Sequence, residues 1–112
     1  MTLDELRDHG CNVDEGLKRC MNNEAFYLKM VDRFFSDGSK IEALGTALNA
    51  NDLDDAFEQA HALKGVSANL ALTPLESKIS EITELLRAHT QMDYSDMYKE
   101  ISGLFDKMKT NE

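Results

Sequence analysis

One spacing limits what this chain can fold into. From Leu53 to Leu70, the residues Leu53, Ala56, Ala60, Leu63, Ser67 and Leu70 recur at alternating steps of three and four. Positions three and four apart share one face of a helix, so all six fall on a single stripe. The same steps are the a/d pattern by which helices pack side by side in a bundle. Ile79, Ile82, Leu85 and Leu86 make a facing stripe, and Tyr94, Met97, Tyr98, Ile101, Leu104, Phe105 and Met108 make another. Phe26, Met30, Phe34 and Phe35 supply bulk from upstream. Strand signals are nearly absent: the chain has one proline, and its Asp37-Gly38 pair is flanked by helical patterning instead of alternating runs.

Helix-start signals divide the chain. Thr2-Leu3-Asp4-Glu5 has the form of a capping box, and Asn12-Val13-Asp14-Glu15 repeats the arrangement. Asn22 or Asn23 caps the next segment, and Asn51 or Asp52 opens the one after, with Asp54, Asp55 and Glu58 near its positive end. Thr73-Pro74-Leu75-Glu76 places a threonine cap before a proline at the first helical position. Asp93 and Asp96 start the last helix. These signals predict short helices at about 3–10 and 13–21, then longer ones at about 24–50, 52–71, 74–90 and 94–109. The first long helix is expected to bend or break at Ser36-Asp37-Gly38-Ser39. Connections this short force successive long helices antiparallel. The expectation is therefore all-α: an up-down four-helix bundle, capped by one or two short N-terminal helices, in one domain over residues 1–112.

Charge narrows the partners. Twelve basic against twenty-one acidic residues leave a net charge of −9, which repels nucleic acid and anionic lipid. No run of about 18 apolar residues is present, and Thr2-Leu3-Asp4-Glu5 is unlike a secretory signal, so a cytoplasmic location is expected. Cys11 and Cys20 lack the CxxC spacing of zinc or redox motifs, and Cys20 reads as a small core residue.

The chemistry lies in Gln59-Ala-His-Ala-Leu-Lys-Gly-Val-Ser-Ala-Asn-Leu-Ala71. His61 has Lys64 three residues on and Gly65 four on, so imidazole, ammonium and a missing side chain converge on one patch. At 100° per residue His61 lies roughly 120–130° from the centre of the apolar stripe, on the flank. Phe57 and Ala68 share that flank; Phe57 reads equally as docking rim or as core packing. Glycine inside a helix costs about 1 kcal/mol relative to alanine, and here the gap falls beside the histidine. Gly16, Gly45 and Gly103 also fall within helices, so Gly65 acquires meaning only from its neighbours. His9 and His89 sit near helix ends, where a cation suits the dipole. The three histidines are too dispersed for a metal site, so no metal is expected; Glu58 and His61 have a metal-site spacing, but both point away from the stripe.

The segment AHALKGVSANLAL resembles the signature of histidine-containing phosphotransfer (HPt) domains, approximately H-x-L-K-G-x-S/A-x-x-L-G. His61, Leu63, Lys64, Gly65, Ser67 and Leu70 match it, and Ala71 departs from the usual glycine. The whole chain is similar to an isolated HPt module. The resemblance implies a phosphorelay intermediate: His61 takes a phosphoryl group at Nε2 from the aspartyl phosphate of a response-regulator receiver domain and yields it to another receiver aspartate. It implies that Lys64 offsets phosphoryl charge and that Gly65, Ala68 and Phe57 form the approach and docking rim; Arg87 is read separately as a contact for phosphate or partner. It implies no cofactor on this chain, with Mg2+ carried by the receiver, and a monomer served by receivers and a hybrid sensor kinase. The family often places a glutamine beside the phosphohistidine; none occurs between residues 73 and 90, which leaves Ser80 or Thr83. No GxGxxG or P-loop motif appears, so a stoichiometric carrier is expected in place of a kinase. The alternatives are a receiver-docking module without phosphotransfer and the phosphoacceptor domain of a chemotaxis-type kinase.

Overall fold

The computed structural model describes residues 1–109, which form seven α-helices and no strand among the described residues. They are α1 (Leu3–Asp8), α2 (Val13–Arg19), α3 (Glu24–Ser36), α4 (Ser39–Asn49), α5 (Leu53–Asn69), α6 (Thr73–Arg87) and α7 (Ser95–Lys109). The expected helix at 24–50 is two helices, broken at Asp37 and Gly38 as the Ser-Asp-Gly-Ser run suggested. Asp37 is extended there, and its carboxylate accepts the Ser39 amide, closing a local turn that competes with helix.

Caps set most helix starts. Thr2 and Glu5 make the reciprocal capping box. Asn12 accepts the Glu15 amide, but the Glu15 carboxylate pairs with Arg19 instead of closing a box. Asn23 and Asp52 cap α3 and α5 by accepting the amides of Phe26 and Asp55. The expected Thr73 cap is overturned: Leu72 is the N-cap, and α6 starts without a side-chain cap. The Thr73 hydroxyl instead accepts the Asn12 amide and donates to the Ala71 carbonyl, tying the α1–α2 loop to the α5–α6 turn.

The bundle is antiparallel. The Asp52 amide donates to the Ala47 carbonyl and the Tyr27 hydroxyl to that of Leu70 at 2.8 Å, so α3 and α4 together run opposite to α5. α6 returns along α5, Lys78 on α6 pairs with Glu100 on α7 at 2.9 Å, and Tyr98 on α7 reaches the Ile41 carbonyl on α4. All six stripe residues of α5 are buried, as are Ile79, Ile82 and Leu86 on α6, Ile101, Phe105 and Met108 on α7, and Tyr94 just before α7. Leu85, Met97, Tyr98 and Leu104 pack at the margin of this core.

Of the residues expected to supply bulk from α3, Phe35 is buried, Met30 and Phe34 pack at the core margin, and Phe26 does not contribute. Phe26 is 48% exposed, while Tyr27, Val31 and Phe35 form the buried i, i+4, i+8 face. Two glycines explain the tyrosines: a Cβ on Gly16 would stand 2.6 Å from the Tyr27 ring, and one on Gly45 2.6 Å from that of Tyr98. Both cysteines are buried and free. No described helix is long and apolar enough to cross a membrane.

Candidate functional site

α5 is held to one orientation by its buried stripe, and this leaves His61 exposed near the middle of the helix. The buried Ser67 hydroxyl does not disturb the stripe, because it donates to the Lys64 carbonyl one turn back. Packing α6 antiparallel against α5 then brings Glu84 and Arg87 beside the His61 flank. Lys64 Nζ lies 3.5 Å from Glu84 Oε1, and Arg87 Nε lies 3.3 Å from Glu84 Oε2. The Arg87 guanidinium carbon is 5.0 Å from the centroid of the Phe57 ring. Phe57 in turn stacks on the His61 imidazole, with centroids 5.5 Å apart and planes inclined by 25°. A chain of contacts thus runs from the imidazole through Phe57 and Arg87 to Glu84 and back to Lys64.

Phe57 packs against the core margin, one of the two readings left open by the sequence, and it also stacks on His61. Gly65 is exposed, and a Cβ placed there would meet nothing within 4 Å. Unlike Gly16 and Gly45, it is not required by the packing of this chain against itself. Ala68 is half-buried, and its carbonyl accepts Arg19 Nη1 at 2.9 Å, so α2 reaches the same flank two turns from His61. Val66, 39% exposed, adds apolar surface beside the gap.

Two expectations fail here. Of Ser80 and Thr83, Thr83 is fully buried and donates to the Ile79 carbonyl at 2.6 Å, so it does not stand in for a glutamine near the histidine, while Ser80 is part-exposed; the α6 residue that faces Lys64 is Glu84. His89 lies past the end of α6 in a left-handed conformation, with Nε2 3.0 Å from Asp54 Oδ1, instead of in the last helical turn. Glu84 and Arg19 are the contributors that sequence reasoning missed. Arg87 and Glu84 are three apart on one helix face, a signal that a surface pair was available, but which residue of α5 they meet depends on interhelical register.

A cleft of about 540 Å³ opens where α5 begins and α6 ends, lined by Asp52, Asp54, Asp55, Glu58, Phe57 and Arg87 among others. Neither His61 nor Lys64 lines it. Its carboxylates repel anions, so the cleft is an unfavourable seat for a phosphoryl group. Among the described residues no three His, Cys, Asp or Glu side chains come together to hold a metal ion. An exposed imidazole, a cation bridged to a neighbouring carboxylate and an open gap make a surface for a reacting group presented by another molecule.

A family model for the Hpt domain matches residues 29–111, which takes in α4 to α7, most of α3 and the whole His61 flank. No curated protein and no solved structure matches the chain. α1, α2 and the first turn of α3 lie outside the match. With three quarters of its length matched and an all-helical bundle around the histidine-bearing helix, the chain belongs to the Hpt domain family.

Proposed function

We propose that this protein is a phosphorelay intermediate in which His61 accepts a phosphoryl group from the aspartyl phosphate of one receiver domain and passes it to the aspartate of another. Hpt domains are phosphocarriers that interact with response-regulator receiver domains. One observation carries the assignment to His61: beside an exposed imidazole, α5 bears a glycine whose missing side chain leaves open space that no part of the chain fills. Gly103 is equally open, so the gap at Gly65 gains its meaning from standing one turn from the imidazole, where an outside group must approach.

The step needs in-line access and charge neutralisation more than covalent assistance. The Nε2 lone pair of the neutral imidazole attacks phosphorus and forms the N–P bond. The P–O bond to the receiver aspartate breaks, its electron pair returning to the carboxylate. The Nδ1 proton, left on a positively charged ring, passes to water. Transfer to the second receiver reverses these events. Lys64 offsets charge on the phosphoryl oxygens, and a Mg2+ ion carried by the receiver would offset the rest. Gly65 admits the receiver, while Phe57 and Ala68 give it an apolar rim. On this reading the chain acts as a monomer, stoichiometrically and without binding nucleotide, downstream of a hybrid sensor kinase.

The test is chemical. Incubation with a small phosphodonor or a phosphorylated receiver is expected to label His61 alone, as an acid-labile, base-stable adduct. Label that persists in His61→Gln rejects the assignment. Lys64→Ala is expected to slow transfer while circular dichroism stays unchanged; equal rates would remove Lys64 from the site. Receiver binding without any label would instead favour a docking module.

A further inference from the structure

Glu84 occupies a place that the transfer reaction itself does not explain. Its two carboxylate oxygens are divided between two cations, Oε1 facing Lys64 Nζ at 3.5 Å and Oε2 facing Arg87 Nε at 3.3 Å. Both cations border the His61 flank: Lys64 is one turn along α5, and Arg87 lies over the Phe57 ring that stacks on the imidazole. A negative charge here works against an incoming phosphoryl group, by repulsion and by occupying the donors that would receive it. We infer that Glu84 is a positioning residue, a counter-anion that keeps Lys64 and Arg87 gathered beside the empty imidazole and releases them to the phosphoryl group as it arrives.

The inference rests on the proposed phosphocarrier role of His61. Its physical basis is the weakness of the present pairs. The Glu84 side chain is 57% exposed, Lys64 32% and Arg87 52%, so water screens both contacts and either cation can leave at small cost. A phosphoryl group carries close to two negative charges and three acceptor oxygens, and therefore competes well for the same donors. No bond of the transfer is made or broken at Glu84; only its ion pairs are exchanged. Two cations against one carboxylate leave the Lys64–Glu84–Arg87 cluster with one net positive charge. Receipt of a dianion reverses that sign, and Glu84 then adds repulsion that favours onward transfer. The residue thus sets how tightly His61 keeps its cargo.

The experiment is a phosphoryl-partition measurement between the full chain and one receiver domain, wild type against Glu84→Gln. Loss of the carboxylate is expected to shift the equilibrium toward phospho-His61 by about two- to fivefold, the range a half-exposed ion pair supports, and to slow onward transfer. The 31P resonance of phospho-His61 is expected to move in the same variant. Glu100→Gln, which removes the same charge from the distant Lys78 pair, is the control and should move neither. In a Lys64→Gln/Arg87→Gln background the Glu84 effect should shrink to its direct repulsion, since the cations it competes for are gone. An unchanged partition in Glu84→Gln, an equal shift in Glu100→Gln, or an effect undiminished in the double background overturns the inference while leaving His61 as carrier. A wild-type chain that takes no label overturns the carrier reading and this inference together.

Discussion

Gly65 and Gly103 form a natural pair at the scale of single residues. Both lie inside helices, and a Cβ on either would meet nothing within 4 Å. Gly103→Ala and Gly65→Ala should therefore each stabilise the fold, by about 1 kcal/mol read from urea denaturation midpoints. Their effects on transfer should separate. A methyl group at Gly65 intrudes where a receiver must come close, so the phosphotransfer rate is expected to fall at least about tenfold, as a misplaced reacting geometry implies. At Gly103 the rate should hold. Equal rates in both variants would mean that the gap beside His61 serves no approach. The positions of His61, Lys64 and Gly65 relative to one another were legible in the sequence because i+3 and i+4 geometry is local. Glu84 was not legible: its contact with Lys64 arises from the register of α6 along α5, which no local pattern encodes. The exchange of Phe26 for Tyr27 in the core has a similar origin, since Gly16 on α2 makes the space that the Tyr27 ring fills.

Helix stripes and most caps were legible at the scale of elements, because periodicity and side-chain capping act within one segment. Helix ends were less so where a distant group competes for the capping atom. Thr73 had the sequence of a cap, yet its hydroxyl is engaged by Asn12, sixty-one residues away. The turn it joins contains Ala71 in the left-handed region at φ 56°, where the family signature usually has glycine. A non-glycine residue there costs about 1–2 kcal/mol. Ala71→Gly would remove that strain, while the buried methyl group and the greater freedom of an unfolded glycine take back part of the gain. A net stabilisation of up to about 1 kcal/mol is expected, seen as a higher melting temperature with the rate of phosphotransfer unchanged. A destabilised variant would show that the Ala71 methyl packs more productively than its backbone is strained.

Contacts across the whole molecule fasten the N-terminal cap, which lies outside the family match, onto the end of α5. Tyr27 donates to the Leu70 carbonyl, Asn12 to that of Ala71 and Arg19 to that of Ala68. Within this junction burial pushes the Cys11 thiol up to about 11, from an ordinary 9.0, and the Tyr27 phenol up to about 12, from an ordinary 10.0. Both groups are neutral when protonated, and both titrate later in the folded chain than in the unfolded one. The unfolded chain therefore loses protons first as pH rises. Their stabilisation is complete below about pH 9, and drains away as pH climbs through 9 to 12. Denaturation midpoints are expected to hold between pH 7 and 8.5 and then fall steeply. The net charge of −9 adds self-repulsion over the same range, so the Tyr27 share must be isolated by comparison. Tyr27→Phe should lower stability at pH 7 by about 1 kcal/mol, for the lost hydrogen bond, and flatten the decline above pH 10. An unaltered alkaline slope in Tyr27→Phe would mean that this junction opens before the bundle does. The cap would then be a separately unfolding unit, and the end of α5 that carries Ala68 would not depend on it.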